Sequence, residues 1–366
     1  MWGDGTGGWL PGGPAWLSIL VAAAIPHTVT NNLSTSVDAG VVIVPDEMSW
    51  GGRVPDRCAV VTGPPPESIG EALACLRDAM GALVRPDLRG VLLPRVDDPG
   101  ASSRRHLEGW RFDDVSTETW DALWRALEGF GTASVFCCPG WVEAGGRVVP
   151  SRRASPGEWR SLDEGVRRGV AELECHGYTH LHPDVPRWMA APDRFTNEEW
   201  YRELRPPMDP GEPSVDAQAE VLDAWQRACG PGTSVVAPGE AWGLNTLAAA
   251  RRLGFTFFNS WGLCHLQAAV PTWTSAIVSP YLDQPESDRV AAGLPVIAYW
   301  HDRDMAVHGP RWAPEWLEGW RTAGATRAWS FRQLAEVFRT PIDAALVGDD
   351  VVIGARPTVP LLIERP

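Results

Sequence analysis

From residue 90 onward, short apolar runs alternate with amphipathic stretches, and this alternation confines the chain to a parallel α/β fold. Gly90-Val-Leu-Leu-Pro-Arg-Val-Asp-Asp98 reads as a strand that ends in charge. A helix over about 117–129 leads to a second strand, Ala133-Ser-Val-Phe-Cys-Cys138, and one near 158–170 leads to a third, Ala171-Glu-Leu-Glu-Cys175. Residues 183–213 carry many Pro, Trp and Arg residues and interrupt the pattern as an irregular insertion. A helix at 214–229 then precedes a strand at 233–237, and the helix 244–253 precedes Phe255-Thr-Phe-Phe258. Strands at about 275–279 and 294–300 complete the series, before helices near 314–322 and 330–339. Seven such strands with short turns predict an α/β fold, a distorted seven-stranded (β/α) barrel over residues 90–343.

The remaining segments are smaller. Residues 1–89 form a small N-terminal α/β extension: a loosely packed Gly-rich start at 1–13, a helical stretch at about 14–24, and apolar runs Gly40-Val-Val-Ile-Val-Pro45 and Cys58-Ala-Val-Val-Thr62. An amphipathic helix over 67–84 closes that unit, and the tail 344–366 has two short apolar runs suited to capping an edge. The formal charge of −14 argues against nucleic acid or an anionic membrane as partner. Seven cysteines without C-x-x-C spacing read as reduced and mainly buried. The apolar run Trp16 to Ile25 is too short to span a bilayer and lacks a basic leader, so the expected location is cytoplasmic.

Ligands collect at the carboxyl ends of strands in parallel α/β folds, and there the unusual polar residues fall. Asp97-Asp98 ends the first strand, His176-Gly-Tyr-Thr-His180 follows the third, and His301-Asp302 ends the last. The i, i+4 spacing puts His176 and His180 on one face of a helical turn, close enough to share a divalent ion. Two imidazoles and one carboxylate make a facial ligand set with open positions. Asp97-Asp98 before Pro99-Gly100 also fits a simple turn or helix cap. Adjacent carboxylates on a strand end alternate in direction, so Asp98 is the candidate ligand and Asp97 a candidate base. Arg95 shares the side of Asp97 and is placed to hold it ionised, the alternative being a surface Arg. His301 is either a packed, hydrogen-bonded imidazole or a general acid facing the metal. Glu174 fits a helix-facing position, and Glu240 is a candidate contact for a substrate amine. His182 and Asp184 fit either outer-shell groups or a loop turn, and Trp242, Trp261 and Trp300 are candidate pocket walls.

In Arg95-Val-Asp-Asp98, His176-Gly-Tyr-Thr-His180 and the late strand-terminal His301, the chain resembles a divergent branch of the polysaccharide deacetylase family of metal-dependent carbohydrate esterases. The likeness covers about 90–340. It implies a distorted (β/α) barrel, zinc or a similar divalent ion on Asp98, His176 and His180, Asp97 as base and His301 as acid. One element departs. The family's Arg-x-Pro-aromatic loop corresponds to Val236-Ala-Pro-Gly239, where Val236 replaces the Arg and Gly239 the aromatic residue. Arg95 is expected to take the first role and Trp242 to supply the ring, while the Gly239 N–H meets the oxyanion.

Together these features predict a hydrolase that removes an acyl group, foremost acetyl, from a small or intermediate-sized N-acyl amine such as an amino sugar or natural-product intermediate. Two rivals use the same residues. One is a metal-dependent epimerase or isomerase of this fold, and the other a non-catalytic carbohydrate-binding relative.

Overall fold

The computed structural model describes residues 15–25, 41–44, 59–62, 69–207, 209–268, 271–274, 277–279, 281–283, 285, 290, 293–339, 344–347, 350–353 and 360–366. The Gly-rich start at 1–13 and Cys58 lie outside the described residues. A central, largely parallel sheet organises the chain. Its strands are β1 (Val91–Asp97), β2 (Ala133–Cys137), β3 (Ala171–Cys175), β4 (Ser234–Val236), β5 (Phe257–Asn259), β6 (Leu263–His265), β7 (Thr272–Thr274), β8 (Val296–His301) and β9 (Arg327–Ala328). The spatial order is β7-β6-β5-β4-β3-β2-β1-β8, and β9 pairs with the start of β1.

Between the strands run helices α1 (Thr117–Leu127), α2 (Pro156–Arg167), α3 (Val215–Cys229), α4 (Leu244–Arg252), α5 (Asp302–His308), α6 (Trp312–Thr322) and α7 (Phe331–Arg339). Local chemistry sets their ends. The Ser116 hydroxyl accepts the Thr119 N–H at the start of α1, and Ser214 accepts that of Ala217 at the start of α3. Pro156 opens α2, where its missing N–H costs nothing, and Gly230 ends α3 with φ 89°.

Strand alternation divides the buried side chains into two sets. Leu92 and Val96 of β1, with Ala298 and Trp300 of β8, face the helices and pack with Trp120, Trp124, Trp159 and Trp225. Leu93 and Ile297 face the other way, inside the curve of the sheet, with Phe136, Val236, Phe257 and Phe331. Trp16, Ile19 and Leu20 of the N-terminal helix Ala15–Ala22 join this inner set. The strand Leu83–Pro86 pairs antiparallel with Leu361–Glu364 of the tail, and Val41–Val44 pairs with Ala59–Thr62.

The sheet differs from seven uniform parallel strands. β5, β4, β3, β2, β1 and β8 are parallel neighbours in that order. The expected strand at 275–279 is described from 277 on, where Val278 makes a single parallel bridge to Ile297. The β5 edge is extended instead by antiparallel β6 and β7. A close turn makes this possible. Ser260 N–H donates to Gly262 C=O, and a Cβ on Gly262 would stand 2.3 Å from the Trp273 ring nitrogen. Three-residue strands carry too little periodicity to be read from sequence.

Candidate metal centre

β1 and β8 are in register so that Leu93 pairs with Ile297, Arg95 with Tyr299 and Asp97 with His301. The inner face of the two strands therefore passes from an apolar layer to a charged one at the carboxyl end. Asp98 follows immediately, at φ 79°. Strand alternation alone would send its side chain to the helix face. The left-handed residue re-aims it, a conformation that Asp tolerates better than most side chains.

Three donors converge there. Asp98 Oδ1 lies 2.9 Å from His176 Nε2 and 3.1 Å from His180 Nε2, and the two Nε2 atoms are 3.2 Å apart. An ion held tetrahedrally at about 2.0–2.1 Å spaces its donors by about 3.3 Å, so the set matches a small divalent cation. All three residues are buried. His176 Nδ1 is 3.0 Å from the Val236 carbonyl oxygen, to which its N–H donates, leaving Nε2 with a free lone pair as ligation requires. Burial alone would raise the Asp98 carboxyl, but His180 and His176, with His301 beyond them, hold it well below the usual carboxylate range. Burial lowers His176, but the Asp98 hydrogen bond, the Asp97 and Asp98 charges and the Val236 carbonyl together more than restore it, with a net upward shift. Such a cluster of like donors favours a cation in its midst.

The two histidines do not occupy a helical turn. Residues 176–184 are irregular, with Gly177 at φ 71° and His180 at φ 63°. Left-handed His180 is uncommon backbone, and together with Asp98 it places two of the strained non-Gly residues at the ligand set. The turn is fixed from outside by Glu203, whose carboxylate accepts the N–H groups of Tyr178, Thr179 and His180 at 2.8, 3.0 and 3.0 Å and the Thr179 hydroxyl at 2.9 Å. The Cys138 thiol donates to the His176 carbonyl at 3.0 Å.

Asp97 is buried against Arg95 in a two-point ion pair, with Arg95 Nε 2.9 Å from Oδ1 and Nη2 on Oδ2. Arg95 is fully buried, not a surface residue, and lies 4.5 Å from the Tyr299 ring centroid. Its Nη2 also reaches Glu240 Oε1 at 3.3 Å, so Glu240 answers the guanidinium within the protein. His301 is partly exposed. Its ring meets Trp110 and Tyr281 edge-on at 5.3 and 4.8 Å, and its Nδ1 is 3.9 Å from Asp304 Oδ2. Asp304 is itself fixed by the His301 N–H at 2.8 Å and the Tyr281 hydroxyl at 2.7 Å.

The pocket walls differ from the sequence expectation. Trp300 faces the helices, fully buried against Trp316, because it alternates with His301. Trp242 is packed on Phe258 and Trp273, with its indole N–H donated to Ser260, so the structure does not bring its ring to the ligands. Trp261 is 56% exposed. Gly239, at φ 62°, lies in the loop that follows Val236, and a Cβ there would stand 2.4 Å from the Tyr201 ring. Tyr201 also stacks on His180 at 5.5 Å and meets Trp110 at 6.1 Å. An aromatic rim of Tyr201, Trp110 and Tyr281 thus links His180 to His301. None of the three has a strand-end position or a spacing that marks it in the sequence.

Other candidates lie away from the donors. His182 pairs with Asp209 at 3.1 Å, and Asp184 caps the short helix Val185–Ala190. Glu174 is on the inner face rather than against a helix, and its carboxylate accepts the Thr233 and Ser234 N–H groups at 2.7 and 2.8 Å. The six described cysteines are free, and Cys137, Cys138, Cys175 and Cys264 are buried. Among the described residues, no helix is long and apolar enough to cross a membrane.

No family model matches the chain, and no curated protein matches it. Solved structures do. A protein from Mycobacterium smegmatis assigned as a polysaccharide deacetylase is 14% identical, with 69% of this chain and 92% of that one aligned at a TM-score of 0.43. The Xyl-CE4 domain of a multidomain xylanase, from the hindgut metagenome of Trinervitermes trinervoides, is also 14% identical over 68% of this chain and 89% of its own, at 0.36. A family 4 carbohydrate esterase pseudoenzyme from Bacillus anthracis is 10% identical over 68% and 66%, again at 0.36. Likeness this distant assigns no activity, and pseudoenzymes occur among the neighbours.

Proposed function

We propose that the chain is a metal-dependent hydrolase that removes an acyl group, foremost acetyl, from an N-acyl amine such as an amino sugar or natural-product intermediate. The observation that carries this reading is the convergence of Asp98, His176 and His180 within hydrogen-bond distance of one another, beside a guanidinium-held Asp97. The barrel-like curve of the sheet, with the donors at its carboxyl rim, is the arrangement such enzymes use. Zinc is the ion that this nitrogen-rich set suits best.

A divalent ion on the three donors would polarise the scissile carbonyl and acidify water. Asp97 takes the proton of the water that attacks the carbonyl carbon. Arg95 holds it for that task while each carboxylate oxygen keeps a further lone pair. The Gly239 N–H is assigned to the oxyanion. The C–N bond then breaks as His301 protonates the departing nitrogen, and a carboxylate and a free amine leave. Asp304, which accepts the His301 backbone N–H and lies 3.9 Å from His301 Nδ1, positions the imidazole from which that proton comes.

The test is release of acetate from N-acetylglucosamine derivatives by the zinc-loaded protein, compared with solvent deuterium incorporation. Hydrolysis gives acetate, an epimerase gives deuterium exchange without cleavage, and a carbohydrate-binding relative gives neither. His301→Ala is expected to lower turnover about 10²–10⁴-fold with zinc content unchanged. Unchanged turnover in that variant would remove His301 from the chemistry.

A further inference from the structure

The two histidines of the proposed site share no helix, so their close approach needs another cause. In a helical turn the N–H groups of residues 178–180 would donate to carbonyls of the preceding turn. Here all three donate to the one carboxylate of Glu203, and the Thr179 hydroxyl adds a fourth bond. Glu203 comes from the irregular insertion, 23 residues after His180, and is only 3% exposed. A carboxylate buried this way stays only where donors replace its water, and four do so.

The fit is tight. A Cβ on Gly177 would stand 2.4 Å from Glu203 Oε2 and 2.7 Å from Pro238, so only glycine lets the turn close over the carboxylate. Glu203 also forms part of the wall of a cleft of ≈ 450 Å³, with Tyr178, Leu204 and Val221, on the flank of the turn. Without it, three backbone donors would face that flank unpaired, among them that of the left-handed His180 at φ 63°.

We infer that Glu203 is a positioning residue for the metal ligands: its carboxylate replaces a helix as the template that sets His180 against His176 and Asp98. It touches no reacting atom. The inference rests on the metal reading above, and it assigns the insertion a part in metal affinity that the ligand motifs do not reveal. Partners of this kind typically contribute about 10–100-fold to metal affinity.

The experiment measures zinc affinity of the full chain by chelator competition, and the cobalt(II) absorption spectrum, for the parent, Asp98→Ala, Glu203→Gln and Thr179→Val. Thermal midpoints of the metal-free proteins accompany them. Glu203→Gln replaces one acceptor oxygen with an NH₂ group facing N–H donors. It is expected to weaken zinc binding about 10–100-fold and to change the cobalt spectrum. Thr179→Val removes one of the four bonds along with the hydroxyl's contacts to the Leu181 backbone, keeps the three backbone donors to Glu203, and is expected to weaken binding by a smaller factor. It stands as the test should Glu203→Gln fail to fold. Parental affinity and spectrum in a folded Glu203→Gln, or in Thr179→Val where that variant stands alone, overturn the inference, even where the thermal midpoint falls. Zinc binding by the parent that Asp98→Ala abolishes separates this result from failure of the site itself. A parent that binds no zinc overturns both.

Discussion

Along β1 and β8 the same two strands build two unlike regions, one residue pair above the other. The lower pair, Leu93 and Ile297, is buried with Phe257 and Phe331. It needs only shape, because apolar burial is non-directional. Above it come Arg95 with Tyr299 and Asp97 with His301, the rim on which Asp98, His176 and His180 converge. Every buried charge here has a specific partner, since an unpaired one would be costly. Two of the partners arrive from other segments of the chain, Glu240 for Arg95 and Glu203 for the turn that bears the histidines, while Asp304 sits only three residues beyond His301. The lower region is held by strand periodicity, and the upper one by loops.

Breaking a charge pair in the upper region should cost most. Arg95→Met leaves Asp97 buried without its guanidinium and is expected to destabilise the protein by about 3–5 kcal/mol in urea unfolding. A loss below 1 kcal/mol would mean that the pair is not structurally coupled to the rim. In the lower region, Leu93→Ala is expected to cost about 2–5 kcal/mol through the cavity it leaves. Zinc affinity should survive that change, because the apolar layer shapes no ligand. Loss of zinc binding in folded Leu93→Ala would erase the distinction between the two regions. The smallest effect concerns Cys264 on the helix-facing side, where burial pushes the thiol up to about 12. An unfolded thiol ionises near 8.5. The folded state keeps a proton that the unfolded state releases, so stability falls as pH rises between those values. Cys264→Ala should flatten the decline in urea midpoint between pH 8 and 10, and an unchanged slope would contradict this.

What the sequence reveals divides along the same line. The strands, the helices and the strand-terminal Asp97, Asp98 and His301 are legible because local periodicity and chain direction place them. Alternation also excludes Trp300 from the pocket once His301 faces inward. The three-residue strands β6 and β7 escape because they are too short for periodicity. Tyr201 and Glu203 escape because the insertion has none, and their roles depend on a fold that returns the insertion to the ligand turn. Left-handed backbone at Asp98 and His180 has no marker in the neighbouring residues, unlike Gly177 and Gly239, whose missing side chains make room for Glu203 and Tyr201. The aromatic ring beside the Val236–Gly239 loop comes from Tyr201, not from Trp242.

Crystals grown with zinc show whether Asp98, His176 and His180 hold one divalent ion. An anomalous-scattering peak is expected about 2.0–2.2 Å from Asp98 Oδ1 and from the Nε2 atoms of both histidines. Asp98→Ala crystals are expected to lose that peak. Zinc bound at other residues, or a folded protein that leaves this cluster empty with zinc in excess, would contradict that assignment of the ligands.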